Sequence, residues 1–495
     1  MPAEFAPSGA ELRRFLPEMV LVVAGTLAMV LAAVRRSRRT NLFSGIAFAG
    51  FWAALAASVF AFQNPGTAFR DMLVVDGFTT FFRVVVISVG ALTTLASTQY
   101  LRREGVESGE YYALLLFSVA GQCVMVSAAE LIMIFIGLEI SSISSYILAG
   151  YLRDDKRANE AALKYFLLGS FATAFLLYGV AWIYGVSGST FLLDIRMDIR
   201  AMLTDPAAGG TLIAVVVAAA LLFVGLAFKV SSWPFQSWAP DVYQGAPTPV
   251  AAFLSAGPKA AAFAVLLRVF MTAFEPIGHR WQPLVWISAL GTMVIGNFAA
   301  LSQTNIKRML AYSSVAHAGY VLVAVDAASR TGIAAAMFYL AAYALMNLGA
   351  FGIVAHLCRQ GERNVEIRDF SGLAVRQPPT AALFSIFLLS LIGVPLTGGF
   401  FGKFYIFKAA LDSGLVWLTV LGLLNSAVAA YYYLRIIVVM YMQEPSEAAT
   451  SLLPFGGAVG TVMWTAVLGT LLLGIYPSPV LDFARQAALL FLQQH

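Results

Sequence analysis

The chain has 495 residues, 60% of them apolar and only 12% charged, with a formal net charge of +5 and a mean hydropathy of +0.80. Soluble domains are roughly 45–50% apolar, so this composition excludes one and places the chain in a bilayer. The positive charge needs no nucleic-acid partner, because it gathers in short loops between apolar runs.

A spanning helix needs about 20 mostly apolar residues, and such runs follow one another from about residue 16 to 476. They predict about fourteen spans, near 16 to 34, 41 to 62, 79 to 98, 111 to 128, 131 to 150, 161 to 184, 211 to 237, 249 to 272, 283 to 302, 309 to 325, 332 to 357, 380 to 411, 415 to 442 and 456 to 476. No period-2 alternation runs through them, so the expected fold class is an all-α polytopic membrane protein and not a barrel. The first run is too long for a cleavable signal, and the basic RRSRR after it reads as an anchor. The longest connection, about 185 to 210, is merely polar.

Lys and Arg placement sets the expected orientation. Loops on one side hold Arg35, Arg36, Arg38, Arg39, Arg102, Arg103, Arg153, Lys156, Arg157, Lys307, Arg308, Arg359, Arg363, Arg368 and Arg376, which is 15 of the 31 basic residues. The positive-inside rule makes that side cytoplasmic and puts both termini outside. Cys123 and Cys358 are far apart and form no CxxC, so neither a disulfide framework nor a zinc or iron-sulfur site is indicated.

Two spans carry breaks. Span 7 is interrupted at "KVSSWPFQSW" and span 12 at "LIGVPLTGGFFGKFYIF". Five spans separate them, so the two helices cross in opposite directions, the pattern of an inverted repeat. The expected organisation is three N-terminal spans (1–110), a repeat of spans 4 to 8 (111–272), its inverted partner of spans 9 to 13 (283–442), and span 14 with a tail (456–495). Pro and Gly free backbone groups at membrane depth, which is tolerable only where they face protein or water, so the breaks predict hydrated cavities.

Intramembrane charges are costly, about 2.5–3.5 kcal/mol each on insertion scales, and are functional candidates by default. Glu139 lies near the centre of span 5, and Lys229, Lys259 and Lys403 near the centres of spans 7, 8 and 12. Lys164 lies nearer the end of span 6, where it could snorkel, and His317 sits inside span 10, where it could be a satisfied core histidine. Arg83, Arg268, Lys408 and Arg435 lie towards span ends, with snorkelling expected. Ser141, Ser142, Ser144 and Ser145 could bond water or pack against a neighbouring helix.

These residue types favour protons as cargo. Burial disfavours the charged form of a lysine and a nearby carboxylate favours it, so such a group can load and release a proton as its surroundings change. Glu139 and Lys229 would suit as a pair, with Lys259 and Lys403 as onward stations. A metal cation would want carboxylates and carbonyls instead. The sequence contains no phosphate-binding G-x-x-x-x-G-K-[ST] loop and no dinucleotide fingerprint. Moving a charge against the membrane potential costs about 2.3 kcal/mol per 100 mV, so uphill transport needs a partner or a second ion gradient.

"FKVSSWPFQSWAPDVYQGAPTPVAAFLSAGPKAAAF" (228–263), "IKRMLAYSSVAHAGY" (306–320) and "GVPLTGGFFGKFYIFKAAL" (393–411) resemble the antiporter-like subunits of respiratory complex I, the proton-pumping NADH:quinone oxidoreductase. The resemblance covers spans 4 to 13. Residue by residue, it implies that Glu139 is the family's fifth-helix glutamate, Lys229 and Lys259 its seventh- and eighth-helix lysines, Lys403 its twelfth-helix lysine, and Lys164 a sixth-helix lysine typical of N-type members. M-like members carry glutamate where Lys403 stands. L- and M-like members tend to carry histidine where this chain has Tyr343, and L-like members add a long lateral helix. The N-type is therefore the expected branch, with the link between Lys259 and Lys403 open.

The resemblance further implies a multi-pass subunit of a bacterial inner membrane, flanked by M-like, K-like and J-like membrane subunits and by lipids. It would bind no cofactor itself, with NADH, FMN, iron-sulfur clusters and quinone held elsewhere in the complex, and it would be a non-redox part of the translocase. Two other readings remain: a subunit of a multi-subunit cation/proton antiporter or membrane-bound hydrogenase, and a stand-alone transporter of an organic solute.

Overall fold

The computed structural model describes residues 7–34, 41–445 and 457–493. The arginines of the first basic loop, Arg35 to Arg39, lie outside the described residues. Among the described residues thirteen helices are long and apolar enough to cross a membrane: Leu16–Val34, Leu42–Phe62, Gly77–Glu104, Gly109–Ser127, Leu131–Ala149, Lys156–Ser187, Pro206–Val230, Thr248–Thr272, Glu275–Leu301, Ile306–Asp326, Arg330–Leu357, Val416–Met442 and Gly457–Ile475. Between the eleventh and twelfth of these lies an apolar segment made of two short helices, Pro378–Ile392 and Gly398–Asp412. Counting it as span 12 gives the expected order, and spans are numbered 1 to 14 accordingly.

Spans 3 and 6 reach 28 and 32 residues, beyond the apolar runs that announced them, because caps end them rather than loss of hydropathy. Asp76 accepts from the Thr79 amide at 2.6 Å at the start of span 3, and Asp155 caps span 6 through the Arg157 amide at 2.8 Å. Gly105 and Gly188 end these helices in the left-handed region.

Both breaks fall where Pro, Gly and Ser predicted them. Span 7 was expected to run to 237, but its helix stops at Val230. Ser231 turns left-handed (φ 60°), its amide and that of Ser232 bond back to Phe228 and Ala227, and the chain resumes as a short helix, Trp238–Gly245. Trp238 Nε1 gives the Phe228 carbonyl a second donor at 2.9 Å. Span 9 holds the linker: Thr292 accepts from the Trp233 amide at 2.7 Å, and Ser288 donates to the Trp233 carbonyl at 2.7 Å. Backbone freed inside the membrane is thus satisfied by protein.

In span 12 the first half stops at Gly393 (φ 96°). The second half then comes so close that a Cβ on Gly399 would lie 1.9 Å from the Ser390 carbonyl oxygen. Spans 4 and 5 also pack at backbone distance, since a Cβ on Gly121 would meet the Ser141 nitrogen at 2.6 Å. Ser141 and Ser145 pack in that contact. Ser118 bonds Ser141 and Ser145 at 3.2 Å, while Ser142 and Ser144 bond carbonyls of their own helix.

Two expectations need correction. Arg83 and Arg268 do not snorkel. Each is 1% exposed: Arg83 pairs with Glu18 of span 1 at 2.7 Å, and Arg268 lies 3.6 Å from Asp76 and bonds Thr79 at 2.9 Å. The acids come from span ends distant in sequence, which cancels the drive to reach water. The 185 to 210 connection is not merely polar, because Leu192–Thr204 forms an amphipathic helix that buries Leu192, Ile195 and Ile199. A small hairpin, Gly66–Ala68 with Leu73–Val75, accompanies the helices. Lys408 is exposed.

Candidate functional site: a chain of buried lysines

Lys229 is the last-turn lysine of span 7 and 7% exposed. Its Nζ donates to the Tyr146 hydroxyl at 3.3 Å and stands 5.1 and 5.4 Å from the Tyr146 and Tyr165 ring centres. The helix break places Trp238 against Tyr165, stacked at 4.5 Å. Trp238 in turn meets Tyr243 edge-on at 6.0 Å, and Lys259 Nζ lies 6.0 Å from the Tyr243 ring. The broken segment therefore builds an aromatic wall between Lys229 and Lys259.

Glu139 makes no ion pair with Lys229. It is half-buried and accepts from the Thr173 hydroxyl of span 6 at 3.0 Å. Ser142 and Tyr146, three and seven residues further on, share its helix face and lead towards Lys229.

Lys259 follows Pro258 within span 8 and is 2% exposed. It donates to Ser314 of span 10 twice, to the hydroxyl at 2.6 Å and the carbonyl at 3.0 Å. One turn on, His317 bonds the hydroxyls of Tyr339 through Nδ1 and of Tyr433 through Nε2, the latter at 3.1 Å. Tyr433 also bonds Ser313, and Tyr343 lies against the His317 ring at 5.2 Å. His317 thus has two hydrogen-bond partners but sits between the two lysine sites, at the gap that Tyr343 left open in the sequence.

Lys403 stands just beyond the span 12 break, 6% exposed. It donates to the Ile392 carbonyl released by that break at 2.9 Å and to the Ser426 hydroxyl at 2.8 Å. Its Nζ lies 4.8 Å from the Tyr320 ring, which packs edge-on to His317 at 5.6 Å. A cavity of about 410 Å³ opens beside Lys403 and reaches Lys408 and Asp412.

Lys164 belongs to a different cluster. It bonds Asp241 and Glu160, each at 2.8 Å, and Arg308 binds the other Asp241 oxygen at 2.6 Å. These groups line a cavity of about 230 Å³ and are partly exposed. Burial pushes the Asp241 carboxyl up, but the hydrogen bonds from Lys164 and Arg308 outweigh it and hold it below the usual carboxylate range.

Sequence reasoning missed Tyr146, Ser314, Tyr339, Tyr433 and Ser426, the hydroxyls on which the lysines and the histidine rest. Nothing in a tyrosine or serine within an apolar run marks it as such a partner. Among the described residues no group of three or more His, Cys, Asp or Glu could hold a metal ion, and Cys123 and Cys358 are free and buried.

The family model for NADH:quinone oxidoreductase/Mrp antiporter membrane subunits matches residues 128–429. NADH-quinone oxidoreductase subunit N 1 of Solibacter usitatus (strain Ellin6076) is 64% identical over 99% of both chains. Among solved structures, a chain of respiratory complex I from Thermus thermophilus with bound aureothin aligns at a TM-score of 0.79 and 33% identity, covering 94% of this chain and 98% of that one. A chain of the Mrp complex from Dietzia sp. DQ12-45-1b shares the fold at a TM-score of 0.84 and 22% identity, covering 97% and 98%. On these grounds the chain belongs to the antiporter-like membrane subunits of NADH:quinone oxidoreductase, on their N-subunit branch.

Proposed function

We propose that this chain is a proton-translocating membrane subunit of NADH:quinone oxidoreductase, and that Lys229, Lys259 and Lys403 are its proton-loading stations. One observation carries the reading. Among the described residues, none of these three buried lysines has a carboxylate within 4.0 Å, and each donates to a hydroxyl: Tyr146, Ser314 and Ser426. An amine without a fixed counter-ion can give up its proton, and hydroxyls can both accept and donate one.

In this reading Glu139 modulates Lys229 through Thr173, Ser142 and Tyr146. His317, with Tyr339 and Tyr433, passes protons from Lys259 towards Lys403. Lys164, Asp241 and Arg308 form a mouth on the arginine-rich side. The two broken helices belong to inverted repeats, spans 4 to 8 and 9 to 13, each supplying half of the path. Electron transfer from NADH to quinone elsewhere in the complex drives the motion, and this chain contributes no redox centre. The arginine-rich loops face the cytoplasm of a bacterial inner membrane, with both termini outside. Other membrane subunits cover the outward faces, such as the stripe Ile136, Ile140, Ile143 and Ile147 beside Glu139, each at least 40% exposed.

The test uses inverted membrane vesicles carrying Lys229→Met, with NADH-driven acidification and NADH:quinone turnover followed together. Loss of both in an assembled complex supports the reading. Survival of both with loss of sodium/proton exchange would replace it by an antiporter.

A further inference from the structure

Buried acids are matched by bases elsewhere in the fold: Glu18 by Arg83, Asp76 by Arg268 and Glu362 by Lys307. Asp326 is not. It closes span 10 and is 1% exposed, and neither of its carboxylate oxygens has a hydrogen-bond partner among the described residues. The charged residues at the same end of the bundle, Glu275 before span 9, His279 and Arg280 within it, Arg330 on span 11 and Lys408 and Asp412 on span 12, make no hydrogen bond to it.

The backbone around this carboxylate is satisfied. Gln282 of span 9 donates to the Asp326 main-chain carbonyl at 3.0 Å, and Ser413, just past span 12, donates to the Ala327 carbonyl at 2.9 Å. Neighbouring elements thus supply side chains to the carbonyls and none to the carboxylate. A carboxylate buried without a partner is costly, and the negative end of a helix dipole adds to that cost. A polar group that lowers stability in this way points to chemistry as the reason for its presence.

Asp326 lies just behind one end of the Lys403 cavity. That cavity, of about 410 Å³, extends from Lys403 to Asp412, nine positions further along the chain and about 14 Å away along an α-helix. It has room for several waters. Ser413, the residue after Asp412, is the one that bonds Ala327, the residue after Asp326. Ala328 and Ser413 are exposed. The carboxylate therefore stands between the end of the cavity and the surface, on the side opposite the arginine-rich loops.

We propose that Asp326 is the group through which protons leave the Lys403 cavity on that side. The Lys403 ammonium gives its proton through cavity water to the Asp326 carboxylate, which leaves a neutral amine to be reloaded. The carboxyl then gives the proton to water at the surface formed by Ala328 and Ser413 and becomes a carboxylate again. The inference rests on the reading of Lys403 as a proton-loading station and adds the outlet which that reading lacks.

The test follows NADH-driven acidification and NADH:quinone turnover of the assembled complex in inverted vesicles, for Asp326→Asn, Asp326→Glu and Asp326→Leu beside Lys403→Met. Asparagine keeps the shape and polarity but not the exchangeable proton, so both signals should fall about tenfold or more. Glutamate keeps the carboxyl and should retain most of both. Leucine should lower turnover as far as asparagine does, yet leave the unfolding temperature of the purified complex unchanged or higher, because it removes an unpartnered polar group. Full turnover in Asp326→Asn with a loss in Lys403→Met would overturn the outlet and leave the relay standing. Full turnover in both would overturn the relay itself, and a loss in Asp326→Asn alone would overturn the link to Lys403. If Asp326→Asn fails to assemble, Asp326→Leu carries the same comparison, and a lower unfolding temperature with full turnover there would make the carboxyl merely structural.

Discussion

Lys259 of span 8 and Ser314 of span 10 meet through two hydrogen bonds, at 2.6 and 3.0 Å, and tie the first half of the chain to the second. The hydroxyl takes part in one and the backbone carbonyl in the other. Ser314→Ala removes only the first. A hydrogen bond to a charged group is worth about 1.5–3 kcal/mol, so this change is expected to slow coupled NADH:quinone turnover of an assembled complex by about tenfold or more, while Ser314→Thr retains most of it. Equal rates for Ser314→Ala and the unaltered protein would remove Ser314 from the path.

His317 and Tyr343 offer a sharper contrast. His317 holds two tyrosine hydroxyls, whereas the Tyr343 hydroxyl makes no hydrogen bond to the histidine, its ring only packing beside it. His317→Phe keeps a ring there and cuts the hydrogen-bonded chain. Proton transfer through a positioned side chain contributes about 10²–10⁴-fold, so turnover should fall at least about tenfold in His317→Phe and stay near normal in Tyr343→Phe. The reverse order would shift the link to Tyr343.

Asp241 joins Lys164 to Arg308, so its effects are expected to be shared. Asp241→Asn and Lys164→Ala should each lower turnover modestly, and the double variant should be no worse than Asp241→Asn alone, because the residues act through one contact. The groups are partly exposed, and the stability involved is about 0–1 kcal/mol. The carboxyl's folded value is depressed, so that contribution is present above about pH 4 and fades as pH falls through it. Fully additive losses in a double-mutant cycle would separate the two residues.

Glu362 carries a larger stake. Burial pushes its carboxyl up, but the Lys307 charge and the hydrogen bonds from Lys307, Tyr100 and Thr248 outweigh it, leaving the net shift downward. A depressed folded value means its stabilisation is complete above the ordinary carboxylate value near 4.5 and is lost as pH falls below it. Glu362→Leu strands Lys307, whose side chain is 1% exposed, and should cost about 3–5 kcal/mol. Thermal unfolding of the purified complex should show the loss, with much of it recovered in Glu362→Leu/Lys307→Met. No recovery in the double variant would mean that the carboxylate's bonds to Tyr100 and Thr248 outweigh the ion pair.

Much of this architecture was legible from residues that sit badly in a membrane. Lys229, Lys259 and Lys403 stood out because a charge in an apolar run is costly, and the breaks because Pro, Gly and Ser cannot continue a helix there without help. Both features were found where expected. The hydroxyl partners were invisible, since Tyr146, Tyr339 and Tyr433 fit an apolar helix whether or not they bond a lysine or histidine. Arg83 and Arg268 were misjudged because their partners, Glu18 and Asp76, lie 65 and 192 positions away in the chain, and only the packing of spans 1, 3 and 8 unites them. Whether Glu139 and Lys229 touch was not legible: Glu139 bonds Thr173 and Lys229 bonds Tyr146, with no ion pair between them.

The most direct test of the relay uses Lys259→Arg. Arginine keeps the positive charge and can still donate to Ser314, but it does not release a proton in the working pH range. In inverted vesicles with the complex assembled, as judged by native electrophoresis, the account predicts that NADH-driven acidification and NADH:quinone turnover fall together, to the level of Lys259→Met. Acidification and turnover both at the unaltered level in Lys259→Arg would contradict it, because a fixed charge would then suffice where a moving proton is claimed.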